Sequence, residues 1–274
     1  LKIISLNVNN FGGSNAKKPI IDDYKVQGEV DWPFYHYEVE RYQNHPNRIH
    51  TALKLSEKLR SISPDMMVLQ EFDYHAPAGV EFRMSMAHAG YREVLPDARD
   101  TIESGRYSIT VMFIKKTHTC ISVATPSEIG GFYRWCEIQY RNIVIIGIHI
   151  PYKNSKIYWD ALRQKSKAYA GKELIIIGDL NAADNPTTVL GEEMLNSRNK
   201  LLAAGMKDVW IARGGSEKAY TYLYFTRIDY ALATDRAYSC IKGMQIVNCC
   251  DANLSDHNAV LIELEADTGT YTFN

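Results

Sequence analysis

Asp179 and Asn181 stand two residues apart directly after the apolar run Leu174-Ile175-Ile176-Ile177 and Gly178. An apolar, β-branched run ended by glycine reads as a buried strand, so the polar pair emerges at its carboxyl end, where open α/β sheets place their chemistry. Alternate positions on an extended segment share a face, which brings a carboxylate and a carboxamide to one spot. Such a pair can hold a water and a phosphoryl oxygen together. Asp and Asn also end strands in ordinary turns, and a single occurrence carries little weight.

Other strand ends repeat the chemistry. Asn7 and Asn9 follow Lys2-Ile3-Ile4-Ser5-Leu6, and Gln70-Glu71 follow Met66-Met67-Val68-Leu69. His149 and Pro151 follow the apolar residues 143–148; Arg227-Ile228-Asp229-Tyr230 opens a further apolar run, and Ser255-Asp256-His257 precedes Ala259-Val260-Leu261-Ile262. Each alone is a satisfied polar residue at a strand boundary. Together they suit phosphodiester hydrolysis, which needs an activated water, a neutralised phosphoryl group and a stabilised leaving oxygen; a hard cation held by carboxylates serves the last two. Glu71 is the expected principal Mg²⁺ ligand, because Mg²⁺ takes one or two carboxylates and keeps several waters.

In this order the segments resemble the endonuclease/exonuclease/phosphatase superfamily, which includes pancreatic-type deoxyribonuclease and the exonuclease III class of abasic-site endonucleases. Gly-Asp-x-Asn and Ser-Asp-His are the specific members of the set, and Asn9 stands where the abasic-site type usually has Asp. The resemblance implies an α/β fold of two packed mixed β-sheets with helices on the outer faces, the four-layer sandwich of deoxyribonuclease I. It implies that Asp179 orients or deprotonates the attacking water, that Asn181 donates to the phosphoryl oxygens, and that His257 contacts the scissile phosphate. Asp229 is expected to bond the other ring nitrogen of His257 and raise its pKa. His149 matches the histidine that assists the leaving group. In deoxyribonuclease-like enzymes an acid on a preceding strand holds that histidine, whereas residues 108–114 contain none, so water or backbone is expected to hold His149. Asn7 and Asp256 are expected around the metal, with Mn²⁺ as a substitute for Mg²⁺, and Asn9 and Arg227 are assigned to substrate binding.

The chain has 274 residues, a hydrophobic share of 46% and a net charge of −1, enough apolar content for a substantial core and no global basic field to attract a polyanion. No linker divides it, so it reads as one domain spanning residues 1–274. The five cysteines, Cys120, Cys136, Cys240, Cys249 and Cys250, form neither a CxxC pair nor a metal spacing and read as free thiols. No apolar run reaches the ~18 residues of a membrane span. The compartment is read as cytoplasmic, with secretion as the alternative because the chain begins at Leu1; no obligate protein partner is evident. Helices are expected over residues 48–61, 81–89, 157–170 and 192–204. Strands are expected at 91–94, 108–114, 119–125, 132–140, 143–150, 227–233, 240–247 and 260–265, with Arg141-Asn142 as a hairpin turn.

Residues 13–46 hold prolines, mixed charge and a cluster of aromatics without a period, and long aperiodic loops are uncommon unless functional or disordered. The segment reads either as a flap packed on the body of the protein or as a substrate-contacting lid whose aromatics, Trp32 and Tyr35 among them, stack on bases. Abasic-site enzymes of the superfamily usually carry a tryptophan-bearing loop before Arg-Ile-Asp; the Tyr220-Thr221-Tyr222 segment leads to Arg227 without it, which argues against abasic specificity. The leading reading is a Mg²⁺-dependent endonuclease acting on DNA. A phosphatase or phosphodiesterase for a small molecule or lipid headgroup is the alternative. A catalytically silent binding module is less favoured, since the carboxylates and histidines are retained.

Overall fold

The computed structural model describes residues 1–14, 25–26, 29–30, 46–96, 108–129, 132–223 and 225–265. Trp32 and Tyr35 lie outside them, as does most of the segment 13–46. The strands are β1 (Lys2–Asn7), β2 (Lys25–Val26), β3 (Glu29–Val30), β4 (Met66–Asp73), β5 (Tyr91–Val94), β6 (Ser108–Lys115), β7 (Ile121–Val123), β8 (Trp135–Tyr140), β9 (Ile143–His149), β10 (Glu173–Asp179), β11 (Met206–Asp208), β12 (Asp229–Thr234), β13 (Ile241–Val247) and β14 (Ala259–Leu264). The helices are α1 (Pro46–Ile62), α2 (Pro77–His88), α3 (Ser155–Ala168), α4 (Val189–Ala203), α5 (Val209–Ala212) and α6 (Asp235–Cys240).

Among the described residues two six-stranded sheets form, in the orders β13-β14-β1-β4-β6-β5 and β11-β12-β10-β9-β8-β7. Both are mixed. β1 runs parallel to β4 and antiparallel to β14, while β10 runs parallel to β9 and antiparallel to β12. Alternation along the central strands builds the layers. In β4, Met66 and Val68 join a core that also holds Ile145, Ile175 and Ile177 of the other sheet, whereas Met67 and Leu69 pack with Leu55, Leu59, Phe82 and Met86 of α1 and α2. In β10, Leu174 and Ile176 face Tyr158, Trp159, Leu162, Met194 and Leu201 of α3 and α4. A strand buried on both faces must be apolar throughout, which is why these strands read as unbroken hydrophobic runs. At roughly 1.5–3 kcal/mol per buried large aliphatic side chain, the three cores supply the main driving force for the sandwich.

The expected helices are present, with different ends. α2 begins at Pro77, four residues before its expected start, because proline is accepted in the first turn. α4 begins at Val189, where Thr188 accepts a hydrogen bond from the Gly191 amide. The expected strand at 132–140 opens instead with a 3₁₀ turn, Phe132–Arg134, and the one at 119–125 shrinks to β7. Residue 240 closes α6 rather than opening a strand. β11, α5 and α6 are absent from the sequence reading, being too short for a periodic signal. No helix among the described residues is long and apolar enough to cross a membrane.

Two glycines set how closely strands approach. Gly178 has φ +149°, and a Cβ there would lie 2.0 Å from the backbone oxygen of Ile148 in β9. At Gly147 a Cβ would come within 2.4 Å of Val68 Cγ1, across the gap between the sheets. A side chain can shift and a paired backbone cannot. Gly147→Ala should cost about 1–3 kcal/mol by overpacking, and Gly178→Ala distinctly more, as read by urea unfolding. Equal losses would show that β9 and β10 can separate freely.

Candidate active site

The register of the second sheet places three functional side chains in one row. Asp179 of β10 pairs with His149 of β9 on one side and with Asp229 of β12 on the other. Buried carboxylates on adjacent strands repel, and a group from the opposite sheet answers them. His257, in the loop before β14, places Nδ1 2.9 Å from Asp229 Oδ2. One ligand atom each of Asp179, Asp229 and His257 lies within 4.8 Å of the others. Burial alone would drive the imidazolium to lose its proton, but Asp229, Asp179 and Asp256 outweigh it and hold the pKa at about 9. Burial and the charge of Asp229 hold the Asp179 carboxyl well above the usual carboxylate range. A base with a raised pKa accepts a proton more readily near neutral pH.

Asp179 is also fixed by neighbours. Its Oδ2 accepts from Asn7 Nδ2 at 3.0 Å, a bond that joins β1 of the first sheet to β10 of the second, and its Oδ1 accepts from the Asn181 amide at 2.9 Å. Asn7 Oδ1 accepts from the Asn9 amide at 3.0 Å. Asn181 has φ +51° and donates from Nδ2 to the Ile150 carbonyl at 2.9 Å. Ser255 Oγ donates to the Asn7 carbonyl at 2.6 Å and accepts from the His257 amide at 3.1 Å. Thr221 Oγ1 accepts from both the Ile228 and Asp229 amides at 3.0 Å. These two buried hydroxyls position the charged row; the sequence reading names Ser255 only within its motif, without a role, and gives Thr221 none.

Glu71 reaches the site through a bulge. Pairing between β4 and β6 slips between Leu69 and Phe72, and Glu71 takes φ +48°. A bulge re-aims a side chain that strict alternation would send elsewhere. Glu71 consequently lines the cavity, whereas Gln70 is buried and donates to Ser5 Oγ at 2.9 Å.

The cavity measures about 400 Å³, and its walls include Asn7, Glu71, His149, Asp179, Asn181, Asp256 and His257. Arg134, Tyr152 and Tyr222 also line it, none of them expected from the sequence. Arg134 supplies the partner of His149 in place of the expected water or backbone, with its NH1 2.6 Å from His149 Nδ1. The same NH1 lies 3.3 Å from Nε2, and Nε2 also faces Glu71 Oε1 at 3.9 Å and Asp179 Oδ2 at 3.8 Å.

Two expected substrate-binding residues lie apart from the cavity. Arg227 is buried with its guanidinium on Asp208, at 3.0 Å from Oδ1 and 2.7 Å from Oδ2, with Asp184 Oδ2 at 3.4 Å and the Tyr230 ring beneath. A buried arginine held by two carboxylates braces the loop after Asn181, and it is not available to substrate. Asn9 is buried too, and its Nδ2 donates to the Gly13 carbonyl at 3.0 Å, which shapes the turn beyond β1.

The ordered constellation coincides with a family model, that of the endonuclease/exonuclease/phosphatase family, which matches residues 4–257. The chain belongs to that family. Its members are phosphoesterases and nucleases, and the sandwich is the deoxyribonuclease I-like fold. No curated protein matches the chain in sequence. Among solved structures, an AP endonuclease from Archaeoglobus fulgidus is similar, with TM-score 0.68, 16% identity and coverage of 97% of this chain and 100% of the other. The 3′ phosphatase NExo from Neisseria, bound to a product DNA hairpin, gives TM-score 0.63 and 15% identity, covering 97% and 99%. The endonuclease domain of TRAS1, a telomere-specific non-LTR retrotransposon, gives 0.59 and 12%, again covering 97% and 99%. At these identities the likeness concerns the fold.

Family enzymes are typically metal-dependent, and the donors present fit a hard cation: the carboxylates of Glu71 and Asp256 line the cavity, and one oxygen of Asp229, Oδ1, is buried without a hydrogen-bond partner. Asp179, Asp229 and His257 are close enough to surround an ion. Without an ion, the acids around His257 favour its protonated form, which presents an N–H to anions.

The folded-state pKa of His257 lies above its ordinary 6.5, so its stabilising contribution is complete below that value and is lost as pH rises through about 9. In metal-free protein, the stability advantage of wild type over His257→Gln should therefore shrink between about pH 6 and pH 10. Urea unfolding across that range checks it, and parallel curves would refute a charged His257.

Proposed function

We propose that this chain is a Mg²⁺-dependent phosphodiester hydrolase, with Mn²⁺ as a substitute, acting on DNA as an endonuclease. The observation that carries the reading is the buried group Asp179, Asp229 and His257, with one ligand atom of each within 4.8 Å of the others, at one end of a cavity that Glu71 and Asp256 also line. Asp179 is held by Asn7 and Asn181 with one oxygen toward each, a geometry that orients a water for in-line attack and lets the carboxylate take its proton. His257, cationic and backed by Asp229, offers its Nε2 proton to a phosphoryl oxygen and balances the charge that develops there. His149 lines the cavity beside Arg134 and is placed to assist a leaving oxygen, and Asn181 has a second amide proton for the phosphoryl group. Glu71 and Asp256, supported by Asn7, would hold the cation, which when bound supplies charge neutralisation of the phosphoryl group and leaving oxygen.

The DNA hairpin bound to the Neisseria phosphatase supports a nucleic-acid substrate. A small phosphorylated molecule is the second reading, favoured by a cavity of about 400 Å³, which accommodates a single nucleotide-sized ligand.

Hydrolysis of plasmid DNA should vanish with excess chelator and return with Mg²⁺ or Mn²⁺. Glu71→Gln should raise the Mg²⁺ concentration for half-maximal rate by roughly ten-fold or more with little change in unfolding midpoint. Full activity in chelator, or a wild-type metal response in Glu71→Gln, would contradict the assignment. Cleavage of a small phosphomonoester or diester while DNA stays intact would select the second reading.

A further inference from the structure

The hairpin that leads into Asp229 carries a feature that the hydrolytic chemistry does not use. Phe225 is 82% exposed, the most exposed large hydrophobic among the described residues. Scattered apolar residues on a surface are ordinary, and position is what distinguishes this one. Phe225 belongs to a turn whose two ends, Tyr222 and Thr226, both line the catalytic cavity. The Phe225 amide donates to the Tyr222 carbonyl at 2.9 Å, and the amides of Thr221 and Tyr222 donate to the Thr226 carbonyl at 2.9 and 3.0 Å. The turn is then pinned to the catalytic loop, with the Leu223 amide on the Asp256 carbonyl at 3.1 Å and the Asn258 amide on the Thr221 carbonyl at 2.7 Å. Leu223 adopts φ +40°, a conformation that costs energy and persists only where its surroundings enforce it. A flexible loop could fold a phenylalanine away from water; a turn held this way keeps the ring on display.

The neighbouring aromatics extend the platform inward. The Tyr222 ring centre lies 5.0 Å from that of His257, and Tyr152, 46% exposed, shares the cavity wall. Each phenol lies close enough to Asp179 to feel its charge. An anion held by His257 would thus have Tyr222 and Tyr152 on the cavity wall, with Phe225 next in the chain to Thr226 of that wall.

Resting on the nuclease reading, we propose that Phe225, with Tyr222 and Tyr152, forms a stacking site for the unpaired nucleobase that adjoins the scissile phosphate. A nucleotide fits this layout because its charge and its apolar plane are separated by a sugar, as the imidazolium and the exposed rings are here. Stacking is tolerant of base identity, so the site would favour the presence of a base over its sequence.

The test uses the full chain with Mg²⁺ and two single-stranded oligonucleotides, one with normal bases and one with a tetrahydrofuran abasic residue beside each cleavable bond. Wild type should cleave the base-containing strand with a kcat/KM roughly ten-fold or more above the abasic one, the scale of one lost stack. Phe225→Ser should bring the two rates together through the base-containing strand's KM, and Phe225→Trp should restore the gap. Circular dichroism and the thermal midpoint verify that both variants fold, as an exposed position allows. If wild type and Phe225→Ser discriminate equally, or neither discriminates, the stacking site is overturned while the nuclease reading stands. If no version binds or cleaves either oligonucleotide, while chelator-sensitive hydrolysis of a small phosphoester is present, both are overturned.

Discussion

Two aspartates side by side on neighbouring strands, Asp179 and Asp229, impose the central constraint on this molecule. Both are buried, and two carboxylates desolvated together cannot both stay ionised without a compensating charge. Compensation arrives from the first sheet as His257, while the carboxamide of Asn7 crosses the same gap to Asp179. The edge at which the sheets meet is therefore held by polar contacts, and the apolar core behind them fixes the spacing those contacts need. Removing His257 leaves two buried carboxylates unanswered, a larger penalty than loss of the contact itself.

The two histidines show how neighbours divide roles between chemically identical side chains. His257 faces acids and is kept as a cation suited to an anionic oxygen. His149 instead has the Arg134 guanidinium against its ring, 2.6 Å from Nδ1 and 3.3 Å from Nε2. One ring is backed by acids and the other by a cation, so the same side chain meets opposite fields within one site.

Much of this was legible in the sequence because it is encoded in periodicity. Doubly buried strands must read as apolar runs, and the polar residues that end them, Asn7, Glu71, His149, Asp179 and Asp229, mark the sheet edge. The partner of His257 also followed from the ordered motifs. Three-dimensional neighbours outside the motifs did not. Arg134 precedes its strand in a 3₁₀ turn, and nothing in its local pattern indicates a histidine two strands' length away in sequence. Arg227 sits within a motif and was read as a substrate contact, yet its charge is consumed by Asp208 and Asp184, residues whose proximity only folding creates. The bulge that aims Glu71 and turns Gln70 away is a register event, invisible to alternation alone. Short elements such as β11 and α5 give too few residues for any period.

If the charge balance among Asp179, Asp229 and His257 is the core of the site, Asp179 and His257 serve one chemical step and depend on each other. A double-mutant cycle in turnover tests this most directly. Asp179→Asn and His257→Ala should each reduce kcat by on the order of a thousand-fold or more, and the double variant should be little slower than the worse single one. Losses that multiply independently, or near wild-type turnover in either single variant, would contradict the account.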